Sequence, residues 1–233
     1  MNLKFSLGLL GMLCSSAAVA HESGFYTGAG AILSSAQADT KVMAIVPAVG
    51  TYADTFPIRK PSWSGVLFGG YQKYFDSGFL AGEIFANPFQ DSIKKTTPQD
   101  YVDRQNGNIL FQGIQVKTLR KFSVGARFKY GRHFDNKTAA FISLGLIGSQ
   151  FRVNHRDTIT PQSVNYKAFL FGYAPGAGLK YYVKPHLPIS FQYEYQIYNT
   201  LKTKDMSLVA GDSLIYKVKN RYHSFMLSVS CEI

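Results

Sequence analysis

Apolar and polar positions alternate with a period of two along most of the chain, which is the signature of β-strands. From Ile189 to Tyr198, Ile189, Phe191, Tyr193, Tyr195 and Ile197 alternate with Ser190, Gln192, Glu194, Gln196 and Tyr198. From Phe122 to Gly131, Phe122, Val124, Ala126, Phe128 and Tyr130 alternate with Ser123, Gly125, Arg127, Lys129 and Gly131. Phe169, Phe171, Tyr173, Pro175, Ala177, Leu179 and Tyr181 form one side of the next segment, with Leu170, Gly172, Ala174, Gly176, Gly178, Lys180 and Tyr182 on the other. A final segment sets Phe225, Leu227, Val229, Cys231 and Ile233 against Ser224, Met226, Ser228, Ser230 and Glu232. Each segment has a bulky apolar side and a small or polar side. A soluble sandwich would bury the bulky side against a second sheet. A transmembrane barrel turns it to lipid and fills its centre with the other side. Alternation alone does not separate the two.

Link lengths do. Asp76-Ser77-Gly78, Asp135-Asn136-Lys137 and Lys184-Pro185-His186-Leu187 carry the residues of tight turns. Between them lie longer links: Ser34 to Pro61, Gln90 to about Gly113, Asn154 to Asn165, and Asn199 to Asn220. Short turns alternating with long loops are the arrangement of an outer-membrane barrel. Three turns and four loops predict an all-β, up-and-down antiparallel barrel of eight transmembrane strands, with both termini at the short-turn end. The segment Phe141 to Phe151 changes parity near Ile147, which predicts a bulge or a membrane exit there. Pro175 lacks a ladder donor and predicts a local irregularity. Trp63 to Tyr74 is apolar on both faces, and Leu67, Gly69 and Tyr71 are taken as its outward side.

Composition narrows the compartment. Of the 233 residues, 17% are charged, below the roughly 25% of ordinary soluble domains, while 18 Phe and 15 Tyr are many for this length. No apolar run after the first residues reaches the about 18 needed for a membrane helix. Residues 1–20 read as a secretory signal peptide: basic Lys4, an apolar run from Phe5 to Leu13, then Ala18-Val19-Ala20 before His21. Residues 21–233 then form one barrel domain. Leu13 precedes Cys14 where a lipidation site needs a small residue. Removal of the leader leaves Cys231 with no cysteine to pair with, so no internal disulfide is expected. The formal net charge of +11 points, outside the cytoplasm, to anionic surfaces rather than to nucleic acid.

Several short motifs, in order, resemble the barrel domain of the OmpA-type outer-membrane proteins, including small relatives of the OmpX kind. They are Phe25-Tyr26-Thr27-Gly28-Ala29, Phe68-Gly69-Gly70-Tyr71-Gln72, Ala126-Arg127-Phe128-Lys129-Tyr130, Ala174 to Tyr181 with Pro185, Gln192-Tyr193-Glu194-Tyr195-Gln196, and Val229-Ser230. The resemblance implies a Gram-negative outer-membrane location and insertion by the barrel-assembly machinery. That machinery reads a terminal aromatic residue in the family, and Ile233 stands there instead. The peptidoglycan-binding domain of the longer family members is not expected.

Resemblance and parity together place Glu83, Arg127, Lys129, Lys180 and Glu194 inside, with Glu232 near the periplasmic rim. The positions matching Glu83, Arg127 and Lys180 belong to the family's interior charged cluster. An eight-stranded barrel is just wide enough to be filled by side chains, and ions there are costly unless paired. Three acids against three bases suggest a structural ion-pair network, with the gate of a narrow, low-conductance channel as the alternative. The lipid-facing set is Phe122, Phe128, Tyr130, Phe169, Phe171, Tyr173, Phe191, Tyr193, Tyr195 and Phe225.

No catalytic set emerges. His21, His133, His155, His186 and His223 lack metal-ligand spacing, and no Gly-x-Ser-x-Gly elbow is present, so neither a metal nor a cofactor is expected. A lipid A-modifying enzyme is the remaining catalytic alternative. The informative surface is basic: Lys41, Arg59, Lys60, Lys94, Lys95, Arg156, Lys202, Lys204, Lys217 and Lys219 lie in or beside the long links. They suit lipopolysaccharide phosphates, or host-surface glycans or proteins. The expected role is structural and surface-interactive rather than enzymatic, with outer-membrane lipid as the surrounding solvent.

Overall fold

A computed structural model describes residues 23–46, 50–75, 77–88, 91–96, 114–157, 163–202 and 213–233. Almost all of them are strand. In chain order these are β1 (Gly24–Val46), β2 (Gly50–Phe75), β3 (Gly78–Asn87), β4 (Asp91–Thr96), β5 (Ile114–His133), β6 (Thr138–Asp157), β7 (Ser163–Lys184), β8 (Leu187–Tyr198), β9 (Leu201–Lys202) and β10 (Ser213–Glu232). Hydrogen-bonded neighbours follow the order β1-β2-β3-β5-β6-β7-β8-β10, and β10 pairs back onto β1. Every pairing is antiparallel. The result is a closed, eight-stranded meander. Short β4 continues the third strand of the ring after Pro88, pairing with β5, and β9 continues the seventh, pairing with β10.

The three tight turns share one rim with the start of β1 and the end of β10. There His133 N donates to Ser77 O, Tyr182 N to Lys137 O, Glu232 N to His186 O and Ile233 N to Phe25 O. Asp135 shapes the turn between β5 and β6, its Oδ1 accepting from Lys137 N at 2.7 Å and Thr138 N at 2.6 Å. Cys231 is buried; the sequence's other cysteine, Cys14, lies outside the described residues.

The pleat sorts the side chains. On β8, Ser190, Gln192, Glu194, Gln196 and Tyr198 are buried inside while Ile189 and Phe191 are exposed outside. On β6 the odd positions from Phe141 to Val153 are buried and Ile142, Leu144 and Leu146 are exposed. Parity does not change at Ile147. Bulky residues simply move to the inner face beyond the membrane band. The irregularity lies in the neighbouring strand: the β5–β6 register shifts between Arg120 and Ser123. Val116, Thr118 and Arg120 are buried before the bulge, and Ser123, Arg127 and Lys129 after it, so the inner parity of β5 switches. At Pro175 the β7–β8 ladder skips from Tyr173 to Gly176 without changing register, the interruption a missing N–H imposes.

The spans read as long loops are strand for much of their length. Ser34 to Pro61 contains the β1–β2 ladder out to Val46 opposite Gly50. Asn154 pairs with Asn165 and Arg156 with Ser163. Asp91–Thr96, Leu201–Lys202 and the start of β10 occupy parts of the other two links; 97–113 and 203–212 lie outside the described residues. Crossing a bilayer takes about 9–11 residues, whereas β1 has 23 and β2 has 26. The outward apolar band of β1 ends at Leu33. Beyond it the ladder keeps satisfying backbone groups, and the inward residues turn apolar: Ala36, Ala38, Ile58, Val116, Val153, Leu201, Tyr216 and Val218 are all buried. In this overhang β2 pairs with β1 from Gly50 to Val66, and β7 with β6 from Ser163 to Leu170. On their other edges the β2–β3 ladder begins at Leu67 and the β7–β8 ladder at Gly172. Pro57 and Pro61 sit on that stretch of β2, consistent with proline's restriction to strand edges.

Candidate functional site

The lumen holds its ions in two groups. In the middle, Glu83 (β3) lies directly opposite Arg127 (β5) in register. Its Oε1 accepts from Arg127 at 2.5 Å, and its Oε2 from Lys129 Nζ at 2.6 Å and Tyr26 OH at 3.1 Å. The other guanidinium arm reaches Glu194 Oε1 at 2.5 Å. Glu194 also accepts from Gln192 and Gln196, and Gln192 Nε2 donates to Ser143. Three strands, β3, β5 and β8, are thus tied across the lumen by ion pairs with almost no solvent contact.

Nearer the turns, Lys180 Nζ donates to Gln72 Oε1 at 2.8 Å and Glu232 Oε1 at 3.1 Å. Tyr74 OH donates to Glu232 Oε2 at 2.8 Å and lies 2.6 Å from Tyr182 OH. Lys180 Nζ sits 4.8 Å over the Phe79 ring. Lys180 therefore belongs to a group separate from Glu83, with Glu232 as its acid.

Among the described residues a further buried cation appears, Arg120. It donates to Gln196 Oε1 at 2.9 Å and packs 4.0 Å over the Tyr222 ring. Phe151 meets Tyr198 and Tyr222 edge-on or tilted at this level, and Ser149 links to Ser123 and Tyr198. Counting back in twos from Phe128 puts Arg120 outside. Only the bulge brings it in, and no sequence signal marked that bulge.

The ten aromatic residues assigned to the outer face all lie on the outward parity of their strands. Phe122, Phe128, Tyr130, Phe169, Phe171, Tyr173, Phe191 and Phe225 are exposed. Tyr193 and Tyr195 are half-buried against His223: Tyr193 OH lies 2.8 Å from its Nδ1, and the Tyr195 ring lies tilted against it with centroids 4.7 Å apart.

The basic residues divide. Lys41, Lys202, Lys217 and Lys219 line one cleft of about 470 Å³ with Asp39, Thr55, Thr200 and Arg221. Arg59 and Lys60 are exposed on β2, Lys94 is exposed on β4 opposite Lys117, Lys95 follows it in β4, and Arg156 is exposed near the end of β6. Lys204 lies outside the described residues. Those described stand on the walls of extended strands rather than in loops, because the ladders run so far past the apolar band.

The family model for the outer membrane protein beta-barrel domain matches residues 5–230. No curated protein matches the sequence. Among solved structures, the chain is similar to the outer membrane protein OprG from Pseudomonas aeruginosa, at 13% identity and a TM-score of 0.53, covering 92% of this chain and 99% of that one. It is also similar to Neisserial surface protein A, at 16% identity and 0.39, covering 91% and 98%. A third similarity is to Ail, the attachment invasion locus protein of Yersinia pestis, at 13% identity and 0.33, covering 88% and 100%. At such identities the likeness concerns the fold.

Proposed function

The chain belongs to the outer membrane protein beta-barrel domain family, and on that premise we propose that it is a structural and surface-interactive barrel, neither a pore nor an enzyme. The lumen carries this reading. Apart from Arg120, its buried ions are cross-linked in balanced groups with side chains at most a tenth exposed, and the overhang above them is packed mainly with apolar residues, with Thr40, Thr118 and Asn220 among them. Such a centre serves rigidity better than transport, since breaking a buried pair strands the remaining charge. The aromatic outer band faces membrane lipid. The cations above it meet lipopolysaccharide phosphates, with host-surface glycans or proteins as further contacts. The barrel-assembly machinery inserts it, reading the closing strand β10.

Planar-bilayer recordings test this. Purified protein and the Glu83→Ala variant are both expected to show no conductance steps. Steps that appear or enlarge in the variant would mark a gated pore and overturn the structural reading. Binding to lipopolysaccharide is expected to weaken as ionic strength rises; salt-indifferent binding would remove the electrostatic contact.

A further inference from the structure

Three ammonium groups stand in one row across the outer wall. Lys41 (β1) is directly opposite Lys217 (β10), and Lys217 is opposite Lys202 (β9). All three carry the outward parity of their strands, opposite to buried Thr40, Val218 and Leu201. In the adjoining rows Lys219 faces Asp39, and Arg221 faces Gln37. These cations close around the cleft of about 470 Å³, which Thr55 and Thr200 complete with hydroxyls and Asp39 with one carboxylate.

Like charges directly opposite on a sheet destabilise it, so this row carries a cost that the fold does not need. Anionic oxygens bridging the ammonium groups would remove it through charge-assisted hydrogen bonds. Height selects the anion. The outward apolar band of β1 ends at Leu33. At about 3.3 Å per residue and a tilt near 40°, the Arg221 row stands roughly 10 Å above that level and Lys41 roughly 20 Å. That is the depth of the first sugars over the lipid, above the acyl chains and below distant loop tips.

We propose that this cleft binds the phosphorylated core sugars of neighbouring lipopolysaccharide, clamping a phosphate between Lys41, Lys217 and Lys202, with Lys219 and Arg221 beneath. The proposal rests on the reading above that the protein contacts lipopolysaccharide. It replaces a diffuse basic rim with one defined site.

The test uses the full chain folded in phospholipid vesicles free of lipopolysaccharide. Lipopolysaccharide with and without its core phosphates is the probe, and heparin fragments compete. The double variant Lys41→Gln/Lys217→Gln is expected to weaken binding of the phosphorylated form about tenfold. It should leave the dephosphorylated form unaffected, and raise the urea midpoint of the ligand-free protein. Lys94→Gln/Lys117→Gln, on β4 and β5 and outside the cleft lining, is expected to change affinity less than twofold. Equal losses in both variants would overturn the cleft while leaving the broader lipopolysaccharide reading standing. No lipopolysaccharide binding by wild type would overturn both. Heparin fragments outcompeting lipopolysaccharide at equal charge would reassign the cleft to sulfated host glycans.

Discussion

Glu83 and Arg127 face each other across one antiparallel register position and join as an ion pair with its side chains at most 2% exposed. Around this pair the rest of the central lumen is organised. Glu83 takes a second cation, Lys129, and Arg127 a second anion, Glu194, so removal of any one member leaves the group one charge out of balance.

Glu83→Ala is accordingly expected to destabilise the barrel by about 3–5 kcal/mol, read as a lower urea midpoint for loss of the fast-migrating folded band on unboiled gels. The pair replacement Glu83→Leu/Lys129→Met leaves Arg127 with Glu194. It should recover most of the loss. If the double variant is no more stable than Glu83→Ala, the charge balance is not what holds the centre together.

Two neighbouring glycines give opposite expectations. A Cβ on Gly70 would run into the backbone of Gly82 and Glu83 and the Tyr26 ring, whereas one on Gly82 meets nothing. Gly70→Ala is expected to cost about 1–3 kcal/mol as overpacking. Gly82→Ala, pointing outward, should be neutral. Equal folded fractions after refolding into vesicles would refute the contrast.

The turn at Asp135 sets a pH dependence. Backbone N–H groups, first that of Lys137 and then that of Thr138, hold this carboxyl below its ordinary value. Its folded pKa is therefore the lower one. The contribution is present above the unfolded value of about 3.9 and is lost as pH falls through the folded value. The stability gap between wild type and Asp135→Asn should be constant near neutrality and close on acidification. A gap that widens toward low pH would reverse the assignment.

Period-two alternation made the ring legible because one face of every strand meets the filled centre and the other the membrane, and the turns at Ser77, Asp135 and Pro185 counted the strands. Residues such as Glu194, flanked by outward Tyr193 and Tyr195, could be assigned to a face from neighbours alone. Arg120 could not, since a bulge at Lys121 and Phe122 breaks the count without leaving a glycine or proline to mark it. Lys41, Lys202 and Lys217 are far apart in the chain. Their meeting depends on the β1–β10 and β10–β9 registers, which no local pattern encodes. The overhang reads as loops in the sequence because its outward face is polar: Ser35, Gln37, Asp39 and Lys41 resemble linker composition, while the β1 ladders beneath are paired on both sides.

The contact between Lys180 and Glu232 joins the seventh-written strand of the chain to its tenth. β10 brings Glu232 to Lys180 and Tyr182 of β7 by pairing with β8 between them, whereas Tyr74 of β2 reaches the same carboxylate from the far side of the β1–β10 seam. Closure of the wall and completion of this keystone are thus a single event. A chain that inserts without sealing its last seam lacks the Tyr74 and Gln72 hydrogen bonds at its base, which biases assembly toward the shut ring.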